Sequence, residues 1–84
     1  MISVTQCRAA RALLGWSAQE LADRAGIGVA TVRRFESANA VADSSITTMA
    51  AALAEGGVTF VAAGKVSHAG GEGVRLTARH PSEA

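Results

Sequence analysis

The stretch SAQELADRAGIGVATVRRFE, residues 17–36, decides the fold of this 84-residue chain. Two runs of helix-forming residues are separated by Gly26, a residue type that often closes helices because it adopts positive φ without a Cβ penalty. Ser17, followed three residues later by Glu20, predicts a capping box at the start of the first run. The stretch therefore predicts two short helices with a tight turn between them.

The second run is predicted to be a helix over about residues 28–37. Val32 and Phe35 lie at helical spacing and are expected to face the interior. Arg33 and Arg34 are neighbours, so at least one of the two guanidinium groups must lie on the exposed face. Two short helices joined by a tight turn that contains glycine form the helix-turn-helix pattern.

Two further helices are predicted on either side of this pair. Residues 3–14 begin with the capping box SVTQ, and Gly15 ends that helix. A fourth helix is predicted to end near Glu55, and either Asp43 or Ser44 is expected to cap its start. The helical part of the chain is thus a four-helix domain.

The pattern changes after the fourth helix. Residues 58–62 and 74–78 alternate apolar and other side chains with period two, and a glycine-rich loop lies between them. We expect a C-terminal β-hairpin whose apolar face rests on the fourth helix. The fold class is therefore mainly α, and we divide the chain into a helical unit (1–56), the hairpin (57–79) and a flexible tail (80–84).

The predicted hairpin leaves an open strand edge, and open edges invite pairing with another chain. We expect two copies of the protein to join through these strands, either side by side or by strand exchange. The residues expected to carry this dimerisation are Val58, Phe60, Val74 and Leu76.

Composition places the chain among folded globular domains, with 49% hydrophobic and 18% charged residues. The formal net charge is only +1, and residues 1–55 contain five basic and five acidic side chains. Any cationic surface must therefore be local.

The single cysteine, Cys7, excludes an intrachain disulfide and indicates a reducing compartment, so we expect a cytoplasmic protein. For Cys7, which lies on the first predicted helix, the role of a small buried core residue is favoured over that of a reactive thiol. The apolar run 46–54 is far shorter than the about 20 residues that span a bilayer, so no membrane partner is expected.

No part of the sequence has the pattern of a catalytic or metal site. His68 and His80 lie in a predicted loop and tail, far from the cysteine, without the spacing of metal ligands. The sequence GGEG, residues 70–73, lacks the strand–loop–helix context and the lysine of a phosphate-binding loop, so a hairpin tip is favoured. We expect no enzymatic activity, no metal and no cofactor.

The segment RAARALLGWSAQELADRAGIGVATVRRFE resembles the helix-turn-helix domain of the Cro/C1 (XRE) transcriptional regulators. The resemblance covers about residues 3–53, and its specificity comes from several motifs at fixed spacing: Gly15-Trp16-Ser17, ELA, Ala25-Gly26-Ile27, Thr31-Val32 and Phe35-Glu36. It implies a lambda-repressor-like fold in which residues 28–37 form the recognition helix.

The resemblance also implies roles for particular residues. Positions that usually face base edges are occupied by Val29, Ala30, Thr31 and Arg34. Expected contacts to the DNA backbone come from Ser17, Gln19, Arg33, Ser37 and Asn39, although Ser17 is first a helix cap and Arg33 is equally well explained as a solvated charge. Arg11 and Glu36 occupy the positions of a structural ion pair between the first and third helices, and for Arg11 this role is favoured over a DNA contact.

The sequence departs from the family pattern at three places. Ala18 stands where many members carry glutamine, which removes one phosphate contact. Val29 is apolar where a polar or basic residue is common. The hairpin replaces the usual fifth helix, so the common dimer contact of the family does not transfer.

Two functions follow from these observations. The first is a sequence-specific DNA-binding transcriptional regulator, a repressor, that acts as a homodimer on a pseudo-palindromic operator in double-stranded DNA. The alternative is a protein-interaction module, such as an antitoxin-like or anti-activator protein, that binds a protein partner through its β-edge. The departures favour the second slightly, whereas the Arg33–Arg34 pair and the intact turn favour the first more.

Overall fold

The computed structural model describes residues 1–62 and 70–77. Within them lie four helices and a two-stranded antiparallel sheet, which confirms the predicted fold class. His68, Ala78, His80 and the predicted tail lie outside these ranges. No helix in the described ranges is long and apolar enough to cross a membrane. The elements in chain order are α1 (Val4–Leu14), α2 (Ala18–Ala25), α3 (Val29–Glu36), α4 (Asp43–Gly56), β1 (Val58–Val61) and β2 (Gly73–Leu76).

The first three helices end in the same hydrogen-bonded turn. In each, a backbone N–H donates to the carbonyl oxygen of the residue five positions earlier, as in a Schellman motif. The residue directly before the donor has positive φ. The bonds are Trp16 N–H to Arg11 O, Ile27 N–H to Ala22 O and Asn39 N–H to Arg34 O, and the positive-φ residues are Gly15, Gly26 and Ala38. In each case the positive-φ residue lies one or two residues after the last helical residue and ends the helix there.

Replacing Ala38 by glycine is expected to raise the free energy of unfolding by about 1 kcal/mol. Ala38 has φ 63°, and a side chain in this left-handed region costs about 1–2 kcal/mol, part of which is offset by the greater freedom of glycine in the unfolded chain. The matched control is Gly26→Ala, where φ is 70° and no atom lies within 4 Å of an added Cβ. Chemical denaturation should show a loss of about 1 kcal/mol for this control. Shifts of the same sign in both variants would contradict the explanation.

The capping box predicted at the start of α2 is only half formed. The Ser17 hydroxyl accepts a hydrogen bond from the Glu20 backbone N–H at 3.0 Å. The Glu20 carboxylate does not turn back toward the cap, since it accepts from Arg24 one helical turn later, at 2.9 Å. An oppositely charged partner at i+4 competes successfully with the backbone N–H.

The predicted cap of α4 is also wrong. Ala42 occupies the cap position without a side-chain hydrogen bond, and Asp43 is the first helical residue. In the first turn, the Asp43 carboxylate interacts favourably with the positive end of the helix dipole, a role that needs no capping geometry.

One core joins all four helices to the first strand. It is built from small and medium-sized side chains, of which the largest fully buried ones are Leu21, Met49, Leu53, Val32 and Cys7. Ala22 on α2 is also fully buried and lets α3 approach closely. Val58 of β1 belongs to the same cluster, so the hairpin is anchored to the helical core.

Gln6 on α1 attaches the hairpin to the helices. Its amide nitrogen donates to the carbonyl oxygens of Val61, at 3.2 Å, and Gly73, at 2.8 Å. Its amide oxygen accepts from the Ser3 backbone N–H at 3.0 Å, which completes the predicted capping box. The Ser3 hydroxyl also donates to the carboxylate of Glu72. The local sequence pattern predicts only the capping role of Gln6, because it does not show that β1 ends and β2 begins beside this side chain.

The hairpin packs against α4, as predicted, and also against α1. Opposite residues in the antiparallel register pair Val58 with Leu76 and Phe60 with Val74, so these four side chains share one face. They are not equally available to a partner. Val58 is 2% exposed whereas Leu76 is 55% exposed, so the Val58 side chain belongs to the core and is not available to another chain.

Candidate nucleic-acid interface

One face of α3 is exposed along its length. Ala30, Arg33, Arg34 and Ser37 follow each other at i, i+3, i+4 and i+7, and all four are exposed. The opposite face carries Val32, which is fully buried. The exposed face therefore presents two long cationic side chains and two small ones.

Two other residues with predicted base contacts are less accessible. Val29, at the start of α3, is half-buried and packs against the core. Thr31 is also half-buried. Only part of either side chain is open to solvent, so what they offer a ligand is limited to a methyl or hydroxyl group at the edge of the α3 surface.

The charged side chains of α2, two acidic and one basic, leave the helix with a net charge of −1. Glu20 and Arg24 form an ion pair at 2.9 Å with both side chains about half exposed. The Gln19 amide donates to the Asp23 carboxylate at 2.9 Å. The exposed surface of α2 is therefore polar with little net charge, and Gln19 keeps its amide oxygen and one N–H free of this bond.

The arginines of α3 have no such partners. No acidic side chain in the ranges 1–62 and 70–77 forms an ion pair with Arg33 or Arg34. The Arg34 guanidinium makes one long hydrogen bond, 3.4 Å, to the carbonyl oxygen of Ala40 in the following loop. Both positive charges remain directed to solvent, so α3 carries a local positive potential that the neutral helical half of the chain otherwise lacks.

An ion pair fixes the end of α3 against α1. Arg11 donates to both carboxylate oxygens of Glu36, through Nε at 2.9 Å and through a terminal nitrogen at 2.7 Å. The other terminal nitrogen of Arg11 donates to the carbonyl oxygen of Trp16 at 2.9 Å. The Cys7 thiol also donates a hydrogen bond to the Glu36 carboxylate, with 3.3 Å between Sγ and Oε2. Both terminal nitrogens of Arg11 therefore already donate a hydrogen bond within the chain.

Burial and hydrogen bonding set the pKa values in this cluster. Burial, together with the hydrogen bond to Glu36, raises the pKa of the Cys7 thiol to about 12, so Cys7 stays a protonated donor. Burial alone would raise the pKa of Glu36, but the hydrogen bonds from Arg11 and Cys7 and the positive charge of the Arg11 guanidinium lower it. Glu36 is therefore ionised at neutral pH. The hydrogen bond to Glu36 likewise raises the pKa of Arg11.

Trp16 supports the other end of the helix-turn-helix unit. The Arg24 guanidinium, in the last turn of α2, lies 4.3 Å from the centroid of its ring, which is a cation–π contact. The far edge of the ring lies against Gly56 at the end of α4, where an added Cβ would come within 2.5 Å of it. The tryptophan thus holds α2 beside the end of α4, and only a glycine leaves room for the ring there.

The fold and this surface agree with a comparison against protein families. A family profile described as "Helix-turn-helix" matches residues 8–60, more than half of the chain. The chain belongs to the Cro/C1-type (XRE) helix-turn-helix family. In this family the domain is a DNA-binding regulatory unit and not an enzyme.

The family match begins within α1 and ends in β1, so it covers the complete helix-turn-helix unit of α2 and α3. The second strand lies beyond it. No curated protein matches the chain.

Proposed function

We propose that this member of the helix-turn-helix family is a sequence-specific transcriptional regulator, a repressor, that acts as a homodimer on a pseudo-palindromic operator. The observation that carries the proposal is the exposed face of α3, where Arg33 and Arg34 have no acidic partner in the described ranges. An α-helix fits the major groove of B-DNA, and unpaired arginines at its surface are the side chains most suited to phosphates and guanine edges. Since DNA is the proposed partner, the cytoplasm remains the proposed location.

The proposed base contacts come from Val29, Ala30, Thr31 and Arg34. Arg34 is suited to donate two hydrogen bonds to the O6 and N7 atoms of guanine. The small side chains are suited to the methyl group of thymine. Contacts to the DNA backbone are proposed for Ser17, Gln19, Arg33, Ser37 and Asn39, all of which are exposed.

Selection of binding sites from random double-stranded DNA tests this proposal. A regulator of this kind should enrich one sequence with two related half-sites, about one helical turn apart. The affinity for the enriched site, measured by electrophoretic shift at two salt concentrations, should fall steeply with salt because phosphate contacts release counterions. No enriched sequence, or binding that does not change with salt, would overturn the proposal.

We assign DNA binding to the helical unit, residues 1–56, and dimerisation to the hairpin, residues 57–79. Leu76 supports the second assignment, because it is 55% exposed at the end of β2 and borders a depression of about 320 Å³ that is also lined by Leu14 and Thr77. An exposed leucine beside an apolar depression and a strand edge is a suitable contact for a second copy.

Replacing Leu76 by glutamate is expected to convert the dimer to a monomer. Because the leucine is mostly exposed, the change should leave the fold of the protomer intact while placing a charge in the apolar contact. Light scattering measures the mass, and a circular dichroism melt checks the fold. Leu13→Glu, on α1, is the matched control, since Leu13 is 43% exposed, and this variant should remain dimeric. A monomeric wild-type protein, or a dimeric Leu76→Glu variant, would refute the assignment.

The alternative function is a protein-interaction module that keeps the fold and binds another protein through the β-edge. The near-neutral surface of α2 and the half-buried Val29 favour it, because both reduce what the helix-turn-helix unit offers to DNA. The two functions separate in the selection experiment. An interaction module would enrich no DNA sequence, and substitutions on α3 would not change its affinity for the protein partner.

A further inference from the structure

The described arginines outside α3 differ in whether an acidic side chain already pairs with them. Arg11 and Arg24 are held in ion pairs, at 2.7 Å and 2.9 Å. Arg8 on α1 and Arg75 on β2 are exposed and form no ion pair within residues 1–62 and 70–77. Arg8 is therefore a positive charge on the helical unit that its own fold does not require.

Arg8 lies beside the end of α3. It borders a shallow depression of about 540 Å³ on the surface of α1, together with Arg11 and the small residues Ala9 and Ala12. Arg11 binds Glu36, the last residue of α3. The positive charge of Arg8 also helps to lower the pKa of Glu36.

The same end of α3 carries Arg33. Residues three apart on a helix are neighbours on its surface, so Arg33 lies on the side of α3 that carries Glu36. Arg8 borders the same depression as Arg11, so Arg8 and Arg33 each neighbour one member of the Arg11–Glu36 pair. Positive side chains of α1 and of α3 therefore adjoin the same ion pair.

We propose that Arg8 binds a phosphate of the DNA backbone, beside the segment whose bases α3 contacts. The inference depends on the proposed DNA-binding function and adds a contact from α1, outside the helix-turn-helix unit. Arg11 cannot take this role without giving up Glu36 and the Trp16 carbonyl. The side chains of Ala9 and Ala12 do not obstruct the approach of a phosphate to the Arg8 guanidinium.

The test compares Arg8→Gln with Arg75→Gln, which removes the same charge from the face of β2 opposite Val74 and Leu76. Light scattering should show that Arg75→Gln keeps the mass of the wild type. The DNA-binding constant scales with the salt concentration to the power of about −0.9 for each phosphate contact. At 0.1 M salt, loss of one contact should therefore weaken DNA binding about eightfold per bound subunit. Arg8→Gln should cause this loss on both the selected site and unrelated DNA, and should reduce the salt slope by about 0.9 per subunit. Arg75→Gln should change neither quantity appreciably.

The outcomes separate this inference from the function on which it rests. If the wild-type protein binds no DNA, the proposed function fails. If the wild-type protein binds and Arg8→Gln keeps both affinity and salt slope, or if Arg75→Gln loses as much as Arg8→Gln, only the role of Arg8 is refuted. A thermal melt of each variant verifies that the fold is intact, as expected for two exposed side chains.

Discussion

Replacing Glu36 by alanine is expected to lower the free energy of unfolding by about 2–3 kcal/mol. Breaking a fully buried ion pair by removing one partner costs about 3–5 kcal/mol, because the other charge stays buried without compensation. Here the side chains of Arg11 and Glu36 are 22% and 11% exposed, so solvent screens part of this cost. The substitution also removes the acceptor of the Cys7 thiol. For a domain of this size, such a loss is a large fraction of the total stability.

Urea denaturation measures this effect, and the ion pair on α2 provides the control. Glu20→Ala removes the partner of Arg24, where both side chains are about half exposed. Exposed pairs contribute about 0–1 kcal/mol, so this variant should differ little from the wild type. If the two variants lose the same stability, burial of the Arg11–Glu36 pair is not the reason for its contribution.

The contribution of Glu36 should also depend on pH. Its folded-state pKa is lowered below the ordinary value for glutamate, about 4.3. A lowered pKa gives stability that is present above the unfolded-state value and is lost as the pH falls through the folded-state value. The difference in unfolding free energy between the wild type and Glu36→Ala should therefore be constant near neutral pH and shrink below about pH 4. A difference that grows on acidification would contradict the ion pair as its source.

Replacing Arg34 by alanine is expected to weaken binding to the selected operator by about 1–3 kcal/mol, or roughly 5- to 150-fold. The reason is the loss of the two hydrogen bonds that Arg34 is proposed to donate to a guanine edge. Binding to unrelated DNA should fall much less, because there Arg34 contributes only its charge. The protein itself should keep its stability, since Arg34 is exposed and makes only a 3.4 Å bond to Ala40.

Arg33→Ala is the matched comparison for this result. Arg33 is the neighbouring exposed arginine and is proposed to contact the backbone, so its loss should weaken binding to all sequences about equally. Electrophoretic shift with operator and unrelated DNA gives both ratios. If Arg34→Ala loses affinity equally on the two DNAs, Arg34 has no role in base readout. If Arg33→Ala is the variant that loses discrimination, the roles of the two arginines are exchanged.

The sequence was sufficient to predict the helices and the exposure of at least one of Arg33 and Arg34, and both are exposed. These features depend on interactions between residues close in the chain, since Gly15 and Gly26 close helices through their own backbone conformation. The predicted side-chain caps were less reliable. Glu20 had a competing partner in Arg24, and Ala42 shows that a helix packed against a core can begin without a side-chain cap.

Only the tertiary structure decided which side chains of the hairpin are free and what holds the hairpin in place. Val58 and Leu76 lie opposite each other on the same face of the hairpin. Val58 is buried and Leu76 is exposed, because at this pair the core reaches β1 but not β2. The bonds from Gln6 to Val61 and Gly73 span 55 and 67 residues. Local patterns carry the periodicity and capping of a segment, whereas such contacts depend on where distant segments meet, which only the packing of the whole chain determines.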